Sequence, residues 1–352
     1  LACNESVKLA KKRGFSRLSG FVNGVLRNIS RKKEEIIWPN RAKNEIFYLS
    51  VKYSIPEWIL RFFAKTYKMD VVEKMASSFI QNKETTLCCL KSRAKKEEIR
   101  KELEDEQVVV RDGQLMEKAL KISNYDSLYR LKPFRDGKCT VQDESSMLAA
   151  SLSDVKKDQI VLDLCSAPGG KAIYIADELC GSGKVIARDL TEYKTDLMED
   201  NLERIKLTNM EVQISDARIL DKQMIEKADV VIADLPCSGL GIMGRKNDIK
   251  YHVTEESLKE LASLQREILK CAVQYVKPGG ILLYSTCTIN PQENEKNYQW
   301  IIENFDYSPV DLTKELPKNL TIDTAKDGYI QLLPGIHPCD GFFVGKLRRK
   351  SR

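Results

Sequence analysis

The stretch Ile160-Val161-Leu162-Asp163-Leu164-Cys165-Ser166-Ala167-Pro168-Gly169-Gly170-Lys171 runs from a short apolar segment into a glycine-rich turn, and helical sequence resumes at Ala172. This is a strand, a tight turn and a helix start. Four more apolar runs of strand length follow at Lys184–Ala187, Val212–Ile214, Val230–Ala233 and Ile281–Ser285, separated by amphipathic stretches. Buried strands alternating with helices predict an α/β domain whose mainly parallel sheet is covered on both faces. Ligands of such sheets lie beyond the carboxyl ends of the strands, and the chemically informative residues fall there.

The turn itself brings backbone N–H groups and a helix N-terminus near a nucleotide-like ligand. Three ligand classes compete for it. A dinucleotide fingerprint needs glycines at its first, third and sixth positions, whereas Gly169 and Gly170 are adjacent. A phosphate-binding P-loop needs glycine where Cys165 stands and Ser or Thr where Ala172 stands. S-adenosylmethionine, which carries no phosphate, needs only close approach and a partner for its ribose diol. Asp189, at the end of Ile186-Ala187-Arg188-Asp189, is placed for the diol, and Asp216 for the adenine amino group. The competing reading makes both aspartates helix N-caps.

Two later strand ends carry thiols, in Asp234-Leu235-Pro236-Cys237-Ser238-Gly239 and in Ser285-Thr286-Cys287-Thr288. Buried cysteines are ordinarily small apolar residues. Paired thiols facing a cofactor loop suit carbon methylation of a pyrimidine, since C5 of cytosine is too weak a nucleophile to take a sulfonium methyl unaided. Thiolate addition at C6 makes C5 enamine-like; after methylation the C5 proton leaves and the thiol is expelled. Asp234 can serve as the acid at N3. The target base must leave its stack to reach such a site.

Ahead of this domain the texture differs. Leu18, Phe21, Val22, Val25, Leu26 and Ile29 recur at helical spacing, giving an amphipathic helix over 16–29, and residues 1–82 read as all-helical. Pro56 suits the first turn of a further helix. Thr85–Leu90 and Gln107–Arg111 read as strands flanking a charged helix at Lys95–Leu103, a small α+β module. Three parts are expected: 1–32, 33–139 and 140–352.

Composition, 42% apolar and 31% charged, is that of a water-soluble globular protein, and no run nears the roughly 18 apolar residues of a membrane span. A membrane role is not expected, and a cytoplasmic location is. The net charge of +6 is mildly basic, with Lys8, Lys11, Lys12, Arg13, Arg17, Arg27 and Arg31 crowded at the front, either an RNA-facing arm or a solvated helix face. Ten cysteines without a CxxC pair and two distant histidines offer no zinc spacing. No secretion signal follows Leu1, so free thiols are expected and no metal. A processed start or a missing upstream part is expected as well.

Six ordered blocks resemble the Sun/RsmB-type family of RNA cytosine-5 methyltransferases. They are Val141 to Ser146, Asp163 to Lys171, Asp234 to Gly239, Asn247 to Lys250, Ser285 to Cys287, and Asn290-Pro291-Gln292-Glu293-Asn294-Glu295. The resemblance implies a Rossmann-like methyltransferase domain. It implies Cys287 as nucleophile, Cys237 as the residue assisting release, and cofactor contacts from Cys165, Ser166, Ala167, Pro168, Gly169, Gly170, Lys171, Asp189, Asp216 and Asp234. Lys194 stands near where the family has an arginine, and Gly241 to Asn247 departs from its usual paired arginines and histidine.

Phe21 to Arg27 resembles the last helix of a NusB-like RNA-binding module, most of which would lie upstream of Leu1, and Tyr48 to Trp58 the linker helices that follow. This favours the bacterial 16S rRNA branch, with 16S rRNA or a small-subunit precursor as partner and a monomeric enzyme. A tRNA or 23S rRNA target, or an RNA-binding ribosome assembly factor with weakened catalysis, are the alternatives.

Overall fold

A computed structural model describes residues 2–35 and 37–351, and the chain divides into two compact units between Arg61 and Phe62. The first is helical, with helices Ala2–Lys12, Ser19–Arg31 and Glu45–Tyr53. The expected helix over 16–29 begins as a 3-10 turn at Ser16–Leu18 and becomes α-helical at Ser19. Asn44 starts the third by accepting the amide of Phe47 at 3.0 Å, as an N-cap does.

The second unit opens with a four-stranded antiparallel sheet, β1 (Thr85–Cys89), β2 (Val109–Asp112), β3 (Ala119–Ser123) and β4 (Cys139–Val141), in the order β2-β3-β1-β4. Helix Lys96–Asp105 packs Ile99 and Leu103 against Leu87, Leu120 and Ile122. The strand expected from Gln107 begins two residues later, because Gln107 lies at φ +63° in the turn that leaves the helix. Strands β3 and β4 were not anticipated. β4, three residues long, shows too few for an alternating pattern, and β3 is defined by its pairing with β1 and β2.

The large sheet holds β5 (Ile160–Asp163), β6 (Lys184–Asp189), β7 (Met210–Ile214), β8 (Ala228–Asp234), β9 (Val276–Thr286), β10 (Tyr307–Pro309), β11 (Tyr329–Leu332) and β12 (Phe342–Arg349). The order is β10-β12-β9-β8-β5-β6-β7, with β11 on β12. Strands β5 to β9 are parallel and correspond to the five expected from apolar runs; pairings to β12 are antiparallel, giving the mixed sheet.

Side chains alternate across the pleat. Val161, Val185, Val230 and Leu283 meet helices Glu144–Ser151, Gly170–Glu178 and Glu192–Ile205 on one face. Leu162, Ile186, Val231 and Leu282 meet helices Glu255–Tyr275 and Glu295–Asn304 on the other. Strand order reverses between β5 and β8, so a crevice opens where their carboxyl ends diverge. Among the described residues no helix is long and apolar enough to cross a membrane.

Buried carboxylates lock the small module onto this domain. Asp177, wholly buried, accepts the amides of Lys91 (3.0 Å) and Ser92 (2.9 Å) and the Lys118 ammonium (2.8 Å). Glu144, equally buried, accepts the amides of Leu115 and Met116 at 2.6 and 2.9 Å and pairs with Lys121 at 3.0 Å. Burial opposes the Asp177 charge, yet the bonds from Lys118 and Ser92 prevail and hold its carboxyl below the ordinary range. A carboxyl so lowered contributes stability above the unfolded pKa and loses it as pH falls through the folded one.

Asp177→Ala leaves two amides and part of the Lys118 charge unsatisfied. It should cost about 2–3 kcal/mol, read as a lower urea midpoint at pH 7, and the gap should narrow toward pH 3. An unchanged midpoint would show that the module is held some other way.

Candidate functional site

Where β5 ends, Gly169 turns the chain at φ +98°, a conformation other residues adopt with strain, and helix Gly170–Glu178 begins. The turn closes with the Gly169 amide on the Ser166 carbonyl at 2.7 Å. Just before it, Asp163 is buried with neither carboxylate oxygen hydrogen-bonded; Ser166 Oγ and Gln142 Oε1, against the same loop, also have no partner among the described residues. Burial outweighs the lowering influence of the nearby Ser166 hydroxyl and, with the neighbouring Asp234 charge, pushes the Asp163 carboxyl up to about 7.

Asp189 closes β6, accepting the amides of Ala167 (3.0 Å) and Leu190 (2.8 Å) and the Lys194 ammonium (2.9 Å). It caps no helix. Thr191 instead holds the N-cap position of the following helix, without a side-chain capping bond. Asp216 binds its own neighbour, accepting the Arg218 amide at 2.9 Å and the guanidinium at 2.6 Å. Cys165, Asp189, Lys194 and Asp216 share the wall of one cavity of about 180 Å³ with Leu164, Pro236 and Ile268. The rest of the loop does not line it. Lys171 turns the other way, to Asp234 at 2.5 Å, with its ammonium 4.9 Å from the Phe342 ring centre. Ser285 Oγ donates to the second Asp234 oxygen at 2.8 Å.

Beyond that ion pair the two thiols meet. Cys237, after β8, and Cys287, after β9, stand 3.2 Å apart sulfur to sulfur. The hydrogen bond between them, together with burial, raises the Cys237 pKa, so that thiol keeps its proton at neutral pH. The loops are stitched by the Gly241 amide on the Cys287 carbonyl at 3.1 Å and by the Thr288 and Ser238 hydroxyls at 2.7 Å. Gly241 has no room for a side chain, since an added Cβ would fall 2.2 Å from the Gly341 carbonyl oxygen.

Beneath both loops lies the wholly buried Glu293. It accepts the Ser238 amide (2.9 Å) and hydroxyl (2.5 Å), the Gln265 amide group (3.0 Å) and the Asn290 amide group (2.9 Å). Its neighbour Asn294 accepts from Thr286 at 2.5 Å and donates to the Thr288 carbonyl at 2.9 Å.

Residues 150–348 match the family described as 16S rRNA methyltransferase RsmB/F, and residues 1–31 match the NusB family. A probable ribosomal RNA small subunit methyltransferase B of Bacillus subtilis is 35% identical over 99% of this chain and 78% of its own length. The chain belongs to the RsmB/F family of rRNA methyltransferases. Among solved structures, the protein PH0851 superposes with a TM-score of 0.84 at 29% identity, covering 97% of this chain and 75% of that one. A methyltransferase homologue of Pyrococcus horikoshii superposes at 0.73 with 25% identity, covering 87% and 99%.

Within this RsmB/F-family fold, two residues lacked a role in the sequence reading. Asp163 could have been found as the acid that ends the first strand before a glycine turn. Glu293 was visible only as part of a matching block; Asn290 is a local partner, but nothing local shows that the others come from the distant Ser238 loop and from Gln265 on helix Glu255–Tyr275.

Two outcomes follow from these carboxylates. Glu293→Gln turns an acceptor of four bonds into a mixed donor and acceptor against four donors, and should lower stability by about 1–3 kcal/mol, measured by urea unfolding; no change would show that the loops hold themselves. Asp163, with its pKa raised in the folded state, makes the ligand-free protein lose stability as pH rises from about 4 to 7. Asp163→Asn should flatten that slope. An identical pH profile in the variant would contradict the assignment.

Proposed function

We propose that the chain transfers the methyl group of S-adenosylmethionine to C5 of a cytosine in small-subunit rRNA, 16S rRNA in bacterial terms, through a covalent adduct between Cys287 and C6. The observation that carries this reading is the contact of two thiols at neighbouring strand ends, beside the Asp234–Lys171 pair.

The loop fits the cofactor on its own evidence. Unpaired buried acceptors at Asp163, Ser166 and Gln142 call for a donor-bearing ligand such as an ammonium group, and the cavity at Asp189 and Asp216 has the apolar walls and few polar groups of a nucleoside site. Cys165 through Lys171 with Asp189, Lys194, Asp216 and Asp234 would hold it. Three of the roughly four acceptor sites of the Asp189 carboxylate are already used, so accepting both ribose hydroxyls requires Lys194 to swing aside. S-adenosylmethionine there supplies an electrophilic methyl.

The chain's own residues do the rest. The Cys287 thiolate adds to C6 while the Asp234–Lys171 pair hydrogen-bonds and protonates the N3 side, and C5 gains the electron density to form its new bond. The protonated Cys237, in contact with Cys287, suits the later stage: a water molecule takes the C5 proton, the C5–H electron pair forms the C5–C6 double bond, the C6–S pair returns to Cys287 sulfur, which the Cys237 thiol stabilises by hydrogen bonding, and N3 gives its proton back to the Asp234–Lys171 pair. The adjoining α+β module and the NusB-like residues 1–32 would present the RNA.

Cys287→Ala should abolish turnover with labelled S-adenosylmethionine. Cys237→Ala should accumulate a protein–RNA adduct that survives denaturing electrophoresis. Turnover by the Cys287 variant, or an adduct formed by it alone, would reverse the two roles.

A further inference from the structure

Two hollows adjoin the thiol loops, and they differ in electrostatics. In the first every cation is already matched: Lys83 and Arg245 converge on Asp340, Arg245 also reaches Asp143 at 3.1 Å, and Lys121 holds Glu144 at 3.0 Å. Such a site has no charge left for a polyanion.

The second is a groove of about 480 Å³ between the end of helix Glu57–Ala64 and the outer face of helix Glu255–Tyr275, lined by Phe62, Lys65, Lys259, Arg266, Asn290 and Gln292. Lys65 and Lys259 are exposed, and neither ammonium has an ion pair or hydrogen bond among the described residues. Arg266 meets no carboxylate there; its Nε donates to Asn297 at 2.9 Å and its guanidinium lies 5.3 Å from the Trp300 ring centre. Against these three cations the wall bears one acid, Glu255. The half-buried Phe62 ring supplies an apolar face.

The groove's floor belongs to the site. Asn290 donates to Glu293, the carboxylate that also holds Ser238 beside Cys237. A ligand lying in the groove therefore reaches the loop that carries Cys287.

We infer that this groove binds the single-stranded stretch of RNA flanking the target cytosine, with backbone phosphates on Lys65, Lys259 and Arg266 and a base against Phe62. The inference rests on the proposed RNA cytosine reaction and adds where the strand runs. A base that leaves its stack to reach a thiol opens the strand beside it, and unpaired cations with an aromatic face are what an opened strand requires.

The test uses the whole 352-residue chain and a single-stranded small-subunit rRNA fragment, with binding measured by fluorescence anisotropy at several salt concentrations. Lys65→Gln/Lys259→Gln should weaken binding about tenfold and reduce the slope of log affinity against log salt by about 1.4, since single strands contribute about 0.7 per phosphate contact. S-adenosylmethionine affinity, measured by calorimetry, serves as the check on folding. The control, Lys157→Gln/Lys227→Gln, removes the same charge at the amino ends of β5 and β8. If the groove variant matches this control in affinity and slope, the groove is overturned. Binding is read without turnover, so the two readings fail separately: a groove-dependent slope with no cytosine methylated keeps the groove and sinks the reaction, and methylation with the control's slope does the reverse.

Discussion

A carboxylate buried away from water is costly unless donors surround it, and Glu293 meets that condition only while two loops stay together. Two of its four bonds come from Ser238, next to Cys237; another comes from Asn290, three residues past Cys287; the fourth comes from Gln265 on a helix between the two strands. Separating the loops strands the charge. The 3.2 Å thiol contact is thus a product of core electrostatics. Gln265, which also donates to the Pro236 carbonyl at 2.8 Å, couples the same network to the approach of the Cys237 loop.

That constraint has meaning only at the place the sheet provides. The carboxyl ends of β5, β6 and β7 face the glycine turn, Asp189 and Asp216, while those of β8 and β9 carry the thiols. Asp234 and Lys171 join the halves: the lysine starts from the helix after the glycine turn and ends on the acid after β8. Anything bound at the turn is therefore read by the group beside the thiols. Asp177 and Glu144 tie the small module to the methyltransferase sheet within one compact unit.

The sequence announced the parallel strands because each is a continuous apolar run buried on both faces, and it announced the glycine turn because few residues tolerate φ +98°. It missed β3 and β4, whose register depends on pairing with β1 across the chain, and β10, β11 and β12, which join the large sheet through antiparallel pairing. In β9 the segment Lys277-Pro278-Gly279-Gly280 has the composition of a turn, and it bulges out of the ladder between the Ala228–Val276 and Val230–Ile281 pairs, so the strand runs longer than its apolar run Ile281–Ser285. Arg245 illustrates the limit further. In sequence it is one residue of an unusual loop; in space it ties Asp143, Asp340 and the Glu84 carbonyl together. Long-range partners leave no local trace. Asp189 is the opposite case, since its place at a strand end was legible, and the N-cap position that would have explained it otherwise is held by Thr191.

The central claim is that a thiol-activated cytosine carbon receives the methyl group. The most direct measurement is to incubate the chain with small-subunit rRNA and methyl-labelled S-adenosylmethionine under reducing conditions, digest the RNA to nucleosides and separate them. The account predicts label in 5-methylcytidine from one position. Label in any other nucleoside, or none in RNA while the protein binds both substrates, would contradict it.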